Sequence, residues 1–291
     1  MNPKRSISRV SIQDVRREGV RNHQDVLAVE EPLEIRLAFE DAGQFKEQSI
    51  SVTMRTPGDD FELAAGFLFS EFIVRGASDI AEIGYCAGKP QGAETESPGK
   101  YNIVNVRLRP GVHFDASRLS RHFYMSSSCG VCGKTTLEAL SLSGCAALAP
   151  DAFKIDAAIV FTLPEKLRAA QSIFEKTGGL HAAGLFDLSG KLIGLREDVG
   201  RHNALDKLIG ARLLGGQSGF DESILVLSGR TSFDIMQKAL IAKIPIVAAV
   251  GAPSSLAVDV ATGFGITLLG FMRGDRFNIY SGAQRILCLR Q

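Results

Sequence analysis

The chain has 291 residues, enough for one large domain or for two lobes in close contact. Hydrophobic residues make up 45% and charged residues 22%, near globular averages, which excludes a disordered or fibrous chain. Lys plus Arg (33) nearly balances Asp plus Glu (32), so no overall field draws the protein to nucleic acid or to an anionic membrane, and any anion site must be local.

Residues 1 to 24 are polar, carry Arg16, Arg17 and Arg21, and read as a tail or a loosely attached strand. No apolar run of signal-peptide length follows the basic start, which predicts a cytoplasmic protein. From Asp25 the pattern becomes strand-like: Val26 to Val29, a break at Pro32, period-two alternation from Leu33 to Phe39, and a turn at Asp41 to Gly43 predict an antiparallel hairpin. Pro57 and Gly58 make a turn, Asp59 is placed to cap, and Glu62 stands three residues on as in a capping box, so a helix is predicted through Phe69. Cys86 to Lys100, rich in Gly, Pro, Glu and Ser, reads as a loop before the strand Asn102 to Leu108. Residues 25–125 thus read as a β-rich lobe.

Residues 126–291 change texture, with short apolar runs alternating with helical stretches as in an α/β layer. Ile224–Leu227, Ile246–Val250 and Ile266–Leu269 are predicted strands, with Phe233–Ala242 and Leu256–Ala261 as helices between them. Pro245, Gly251, Pro253, Asp259 and Gly263 interrupt the most apolar region, so it predicts a buried core and no membrane span, which needs about 20 uninterrupted apolar residues.

The sharpest chemical signal is Ser126-Ser127-Ser128-Cys129-Gly130-Val131-Cys132-Gly133-Lys134-Thr135 ahead of a helix-like stretch. Thiols at a helix N-terminus meet free N–H groups and the positive dipole end, which favour thiolate, a nucleophile able to take sulfur as a persulfide. Zinc is a competitor, but Cys86, Cys145 and Cys288 are isolated and no His is followed two residues later by Glu, so a tetrahedral ligand set is incomplete and no metal is expected. A thioredoxin-like motif would open a small domain, and here the pair is mid-chain. A P-loop ending in Gly133-Lys134-Thr135 would need its first glycine at Ser128. Lys134 either lowers the thiol pKa or is simply solvated.

Two further sets stand out. Thr177 to Gly184 and Glu197 to Lys207 place Gly, His and Asn at helix starts, apt for gripping an anion or carbonyl. His181 alone reads as a core or turn histidine, and His202, beside Arg201 and Asp198, stays open between structure and chemistry. Asp206 and Lys207 read as a solvated helix face. Ser228 to Ser232, Gly251 to Ser255 and Gly270 to Phe277 each follow an apolar strand and should gather at the carboxyl edge of a parallel sheet, with Arg230, Arg273 and Arg276 as local positive charge. The plainer alternative is three tight turns with surface arginines.

Taken together, these motifs resemble the FdhD family of formate dehydrogenase accessory sulfurtransferases. Glu30-Glu31-Pro32-Leu33, Thr56 to Asp60, Ser126 to Lys134, Thr177 to Ala183, Glu197 to Lys207, Gly251 to Leu256 and Gly270 to Tyr280 carry the likeness, which runs from about Asp25 to the C-terminus. The resemblance implies an α/β (α+β) chain with a cytidine-deaminase-like layer lacking zinc, and a homodimer. It implies that a cysteine desulfurase loads sulfur on Cys129, that Cys132 assists, and that the sulfur passes to a bis-guanine-dinucleotide molybdenum cofactor (Mo-bisMGD) before insertion into formate dehydrogenase. Cofactor contact then falls to Phe271, Met272, Arg273, Gly274, Asp275 and Arg276, with GDP as a binding surrogate. The non-enzymatic alternative is a cofactor-binding chaperone of formate dehydrogenase whose cysteines are structural.

Overall fold

A computed structural model describes residues 6–41, 43–86, 101–112, 114, 137–138, 140–141, 144–149, 153–217 and 219–288. The segment expected as a tail or loose strand is, from Ile7 on, a paired ribbon. Strands β1 (Ile7–Arg16) and β2 (Gly19–Ala28) run antiparallel around Arg17 and Glu18. The spaced apolar residues Val10, Ile12 and Val15 and the glycine after the turn explain why it pairs.

Strands β3 (Glu31–Asp41) and β4 (Gln44–Arg55) form the expected antiparallel hairpin, and β5 (Ile80–Tyr85) and β6 (Ile103–Leu108) complete a four-stranded sheet in the order β4-β3-β6-β5. Alternation along β3 turns Leu33, Ile35 and Leu37 inward, where they meet Leu63, Ala64 and Leu68 of helix α1 (Asp60–Ser70). Each such buried aliphatic side chain contributes about 1.5–3 kcal/mol. The expected capping box does not form. Asp59 has left-handed backbone (φ 57°) and makes no side-chain cap bond. That conformation departs from the extended backbone a capping residue needs. Glu62 instead pairs with Arg196, which donates from Nε at 2.5 Å and from Nη2 at 2.9 Å.

The second lobe is built on a six-stranded mixed sheet in the order β13-β12-β11-β10-β8-β9. Its strands are β8 (His181–Asp187), β9 (Leu192–Asp198), β10 (Ser223–Leu227), β11 (Ile246–Ala249), β12 (Thr267–Arg273) and β13 (Arg276–Ser281). The expected parallel strands β10, β11 and β12 are adjacent. Leu225 and Leu227 point to the face covered by helices α4 (Arg201–Leu214), α5 (Phe233–Ile241) and α6 (Ser255–Gly263). Ile224 and Val226 point to the opposite face, covered by helix α2 (Ala157–Ala170). Helix α3 (Ser172–Thr177) follows α2 directly, and the short strands β7 (Ile155–Asp156) and β14 (Ile286–Leu287) pair beside this layer. Among the described residues no helix is long and apolar enough to cross a membrane.

The lobes meet where α1 crosses α4. A Cβ added at Gly66 would overlap the Asp206 carbonyl oxygen, and one at Gly210 would overlap that of Glu62, so only glycine lets the two backbones come this close. This crossing overturns the solvated-face expectation for Asp206 and Lys207, which are 3% and 1% exposed. Helix α4 lies between the sheet and α1, which leaves it little solvated surface. Asp206 accepts from Ser70 Oγ at 3.0 Å and from Lys238 Nζ at 2.9 Å. Burial pushes its carboxyl up, and the Lys238 charge opposes that. Lys207 Nζ lies 2.8 Å from Asp198 Oδ2 and donates to the Thr56 carbonyl at 2.8 Å. Asp198 also accepts from Thr56 N, Gly200 N and Asn203 Nδ2. In the first lobe, Arg55 grips Asp60 through Nε at 2.9 Å and Nη2 at 2.8 Å with both residues buried.

Candidate functional site

The three turn sets that sequence placed on one edge are stitched together by backbone bonds. Gly251 N donates to the Gly229 carbonyl at 3.1 Å, Phe271 N to the Gly251 carbonyl at 3.1 Å, and Thr231 N to the Ala252 carbonyl at 3.2 Å. A Cβ at Gly251 would sit 2.8 Å from the Gly229 oxygen, so glycine is required for that approach. Ser254 caps α6 by accepting from Ala257 N at 3.2 Å. The third set differs from a strand-end loop. Strand β12 continues through Phe271 and Met272 to Arg273, and a turn at Gly274 and Asp275 brings the chain back along β13 from Arg276. Arg273 and Arg276 are therefore register partners at an exposed hairpin tip. Phe271 has φ 53° and is 36% exposed. An aromatic residue there costs about 1–3 kcal/mol in strain, which the bond from its N–H to Gly251 helps to hold. Met272, its neighbour, points inward and is buried.

Beneath this edge, between α2–α3 and the ends of β10 and β11, lies a pocket of ≈ 780 Å³. Leu167, Phe174, Leu180 and Met272 supply apolar walls, while His181 and Ser228 stand on the strand side. Arg168 lies over the Phe174 ring, 4.1 Å from its centroid. Helix α3 is anchored by Glu197, whose carboxylate accepts from Ile173 N at 2.9 Å and Phe174 N at 2.8 Å. An apolar cavity with a few polar groups at the carboxyl ends of parallel strands is the usual form of a small-ligand site.

His181 opens β8 at the pocket, packed so closely on Gly229 that a Cβ there would be 3.1 Å from its Nδ1. Burial and the Arg201 charge hold its pKa below the usual imidazole range, against a weaker pull from Asp198. His202 Nε2 lies 3.3 Å from Ser232 Oγ and 3.7 Å from Asp234 Oδ2. Burial first, then Arg201, push its pKa down to about 4. Both rings are neutral at physiological pH, and the open question over His202 narrows to a neutral hydrogen-bonding group. Sequence reasoning gave Arg201 no role beyond that of a neighbour to His202.

Cys129 and Cys132, with the serines before them and Lys134 after them, lie outside the described residues. The remaining thiols are set apart. Cys86 and Cys145 are half-buried with pKa values raised by burial, and Cys288 is exposed.

Fold and edge together define a mixed α/β protein with a ligand pocket and local positive charge at the carboxyl ends of its central strands. A model of the FdhD/NarQ family matches residues 28–287, and the chain belongs to that family. It is 46% identical over 273 residues to the sulfur carrier protein FdhD of Streptomyces avermitilis, covering 94% of this chain and 93% of the relative. The Sulfolobus acidocaldarius protein of the same name is 41% identical over 281 residues, covering 96% of this chain and 98% of the relative. The crystal structure of a Desulfotalea psychrophila protein described as a formate dehydrogenase accessory protein superposes with a TM-score of 0.71 at 27% identity, over 97% of this chain and 100% of that one.

Proposed function

We propose that this protein is a cytoplasmic sulfur carrier that serves formate dehydrogenase. The observation that carries the reading is near full-length similarity to proteins named sulfur carrier protein FdhD, joined to the Cys129-Gly130-Val131-Cys132 pair in a Ser- and Gly-rich setting. In this reading the Cys129 thiolate attacks the terminal sulfur of a cysteine desulfurase persulfide. A new S–S bond forms, the donor cysteine leaves as thiolate, and Cys129 holds the sulfane sulfur. The sulfur is destined for Mo-bisMGD, the cargo rather than a resident group of this protein, before that cofactor enters formate dehydrogenase. Cys132 assists release.

Phe271, Met272, Arg273, Gly274, Asp275 and Arg276 are proposed to receive the cofactor. What supports this is an exposed aromatic and two exposed arginines at one hairpin tip, with Met272 reaching the neighbouring pocket. The homodimer, the cytidine-deaminase-like character of the sheet layer and the division at residues 125 and 126 belong to the same proposal, on the family likeness and the two-lobe arrangement.

The test is a reconstitution. Protein, cysteine desulfurase, cysteine and Mo-bisMGD are combined with formate dehydrogenase lacking its cofactor, and formate oxidation is followed. Activity should appear with the wild-type protein and stay at background with Cys129→Ser. Equal activity with Cys129→Ser, given that the variant folds, overturns the carrier reading and favours a chaperone that needs no reactive thiol.

A further inference from the structure

The buried lysines Lys207 and Lys238 of the lobe seam each have a carboxylate partner. Arg201 does not. It is half-buried, yet its guanidinium makes no hydrogen bond or ion pair among the described residues, and its Nε is buried without a partner. It is also on the wrong end of a helix. As the first residue of the 14-residue α4, it adds a positive charge to the positive end of the dipole, where the capping residue Gly200 offers no side chain. Its surroundings add to the imbalance. Lys238 and Arg201 both bear on His202, with only Asp234 opposing, and Arg201 bears on His181, with only Asp198 opposing. A second polar group close by is unsatisfied. Thr231, one residue before Ser232 at the start of α5, is 1% exposed, and its Oγ1 has no partner.

A half-buried, unpaired guanidinium at an uncapped helix N-terminus is costly unless an anion completes it. From this juxtaposition we infer that Arg201, the first N–H groups of α4 and the Ser228–Ser232 turn form a binding site for a phosphate group. The pocket lies next to it. His181 lines the pocket, and both His181 and the Arg201 side chain approach Gly229, to within 3.1 and 3.9 Å of a Cβ built there. A ligand whose ring enters the pocket can therefore set its phosphate on Arg201. The inference rests on the proposed function only in taking this edge as the cofactor side. It differs from that proposal in assigning an anchor distinct from the hairpin tip at Arg273 and Arg276.

The decisive experiment is an NMR titration of the histidine ring signals, with inorganic pyrophosphate as the phosphate probe and guanosine as a ring without phosphate. In wild type, pyrophosphate should raise the apparent pKa of both His181 and His202, because it supplies the missing negative charge, and guanosine should not. In Arg201→Gln both histidines should titrate higher than in wild type before any ligand is added. That variant should bind pyrophosphate about tenfold or more weakly, the loss expected for one charge-assisted contact, and Arg201→Lys should recover part of it. Histidine signals unmoved by pyrophosphate in wild type, or pyrophosphate affinity unchanged in a folded Arg201→Gln, overturn the site. GDP compared with pyrophosphate tells a nucleotide phosphate from a free one. Sulfur loading of Cys129 is scored separately. A protein that loads sulfur but shows no pyrophosphate response loses this inference alone, and one that binds pyrophosphate but never loads loses the carrier reading alone.

Discussion

The seam between the lobes and the carboxyl edge of the second sheet treat charge in opposite ways. At the seam, Asp206 meets Lys238 and Ser70, and Lys207 meets Asp198, so buried charges are matched and hydrogen-bonded. At the edge, Arg201 has no partner among the described residues, Arg273 faces Arg276, and two histidines are held neutral. The two regions share one helix, since α4 carries Arg201 and His202 at its start and Asp206 and Lys207 one turn on. Paired charge positions the lobes. Unpaired charge is kept within a few residues of it, so an ion-pair-rich protein of nearly zero net charge still carries a locally positive edge.

Breaking the seam should have the largest effect. Lys238→Met leaves the Asp206 carboxylate buried with only Ser70, and unfolding in urea should show a loss of about 3–5 kcal/mol. Adding Asp206→Leu to that variant should restore part of the loss, because no uncompensated charge remains. The edge should behave otherwise. Arg276→Ala, an exposed position, should leave stability within about 0.5 kcal/mol of wild type. If the hairpin tip holds the cofactor, GDP affinity measured by calorimetry should fall by about 1.5–3 kcal/mol, while ADP binds wild type more weakly than GDP does. Equal affinity for the two nucleotides, or an unaffected Arg276→Ala, removes the tip from the site.

The smallest effect sharpens the comparison through pH. His202 titrates at about 4 in the folded chain against an ordinary 6.5, so between those values the unfolded chain takes up a proton that the folded chain refuses. Stability is therefore full above pH 6.5 and declines as pH falls toward 4, with His181 adding in the same sense. The His202 side chain is 35% exposed, so solvent screening limits its share to at most about 2 kcal/mol. Arg201→Gln should flatten this decline in thermal melts across pH 4 to 6.5, and an unchanged slope would mean that Arg201 does not set the edge potential.

Much of this was legible in the sequence, and the failures have a common origin. The β3–β4 hairpin, the strands β10 to β12 and the helices between them follow from period and turn residues, which are local properties. The gathering of Ser228 to Ser232 and Gly251 to Ser255 on one edge was legible too, because parallel strands put their carboxyl ends together, whereas Gly270 to Phe277 is the end of β12, a hairpin turn and the start of β13. Asp206 and Lys207 were not, since their burial depends on α1 crossing α4 at Gly66 and Gly210, residues separated by about half of the chain. The capping box failed at Asp59 because Pro57 and Gly58 lead into a left-handed turn that the spacing of Asp59 and Glu62 does not reveal. Arg201 was given no role of its own for the converse reason. What marks it is the lack of a partner, and a missing contact has no sequence pattern.

The most direct test of the account is intact-protein mass spectrometry after incubation with a cysteine desulfurase and cysteine. The wild-type chain should gain the mass of one or more sulfur atoms, and the gain should vanish on treatment with a thiol reductant. Variants with Cys86, Cys145 or Cys288 changed to Ala should load like wild type. Cys129→Ser should gain nothing, because an alcohol at that position is not ionised near neutral pH and cannot form a persulfide. Sulfur taken up by Cys129→Ser to the wild-type extent would contradict the account, as would a wild-type chain that takes up none.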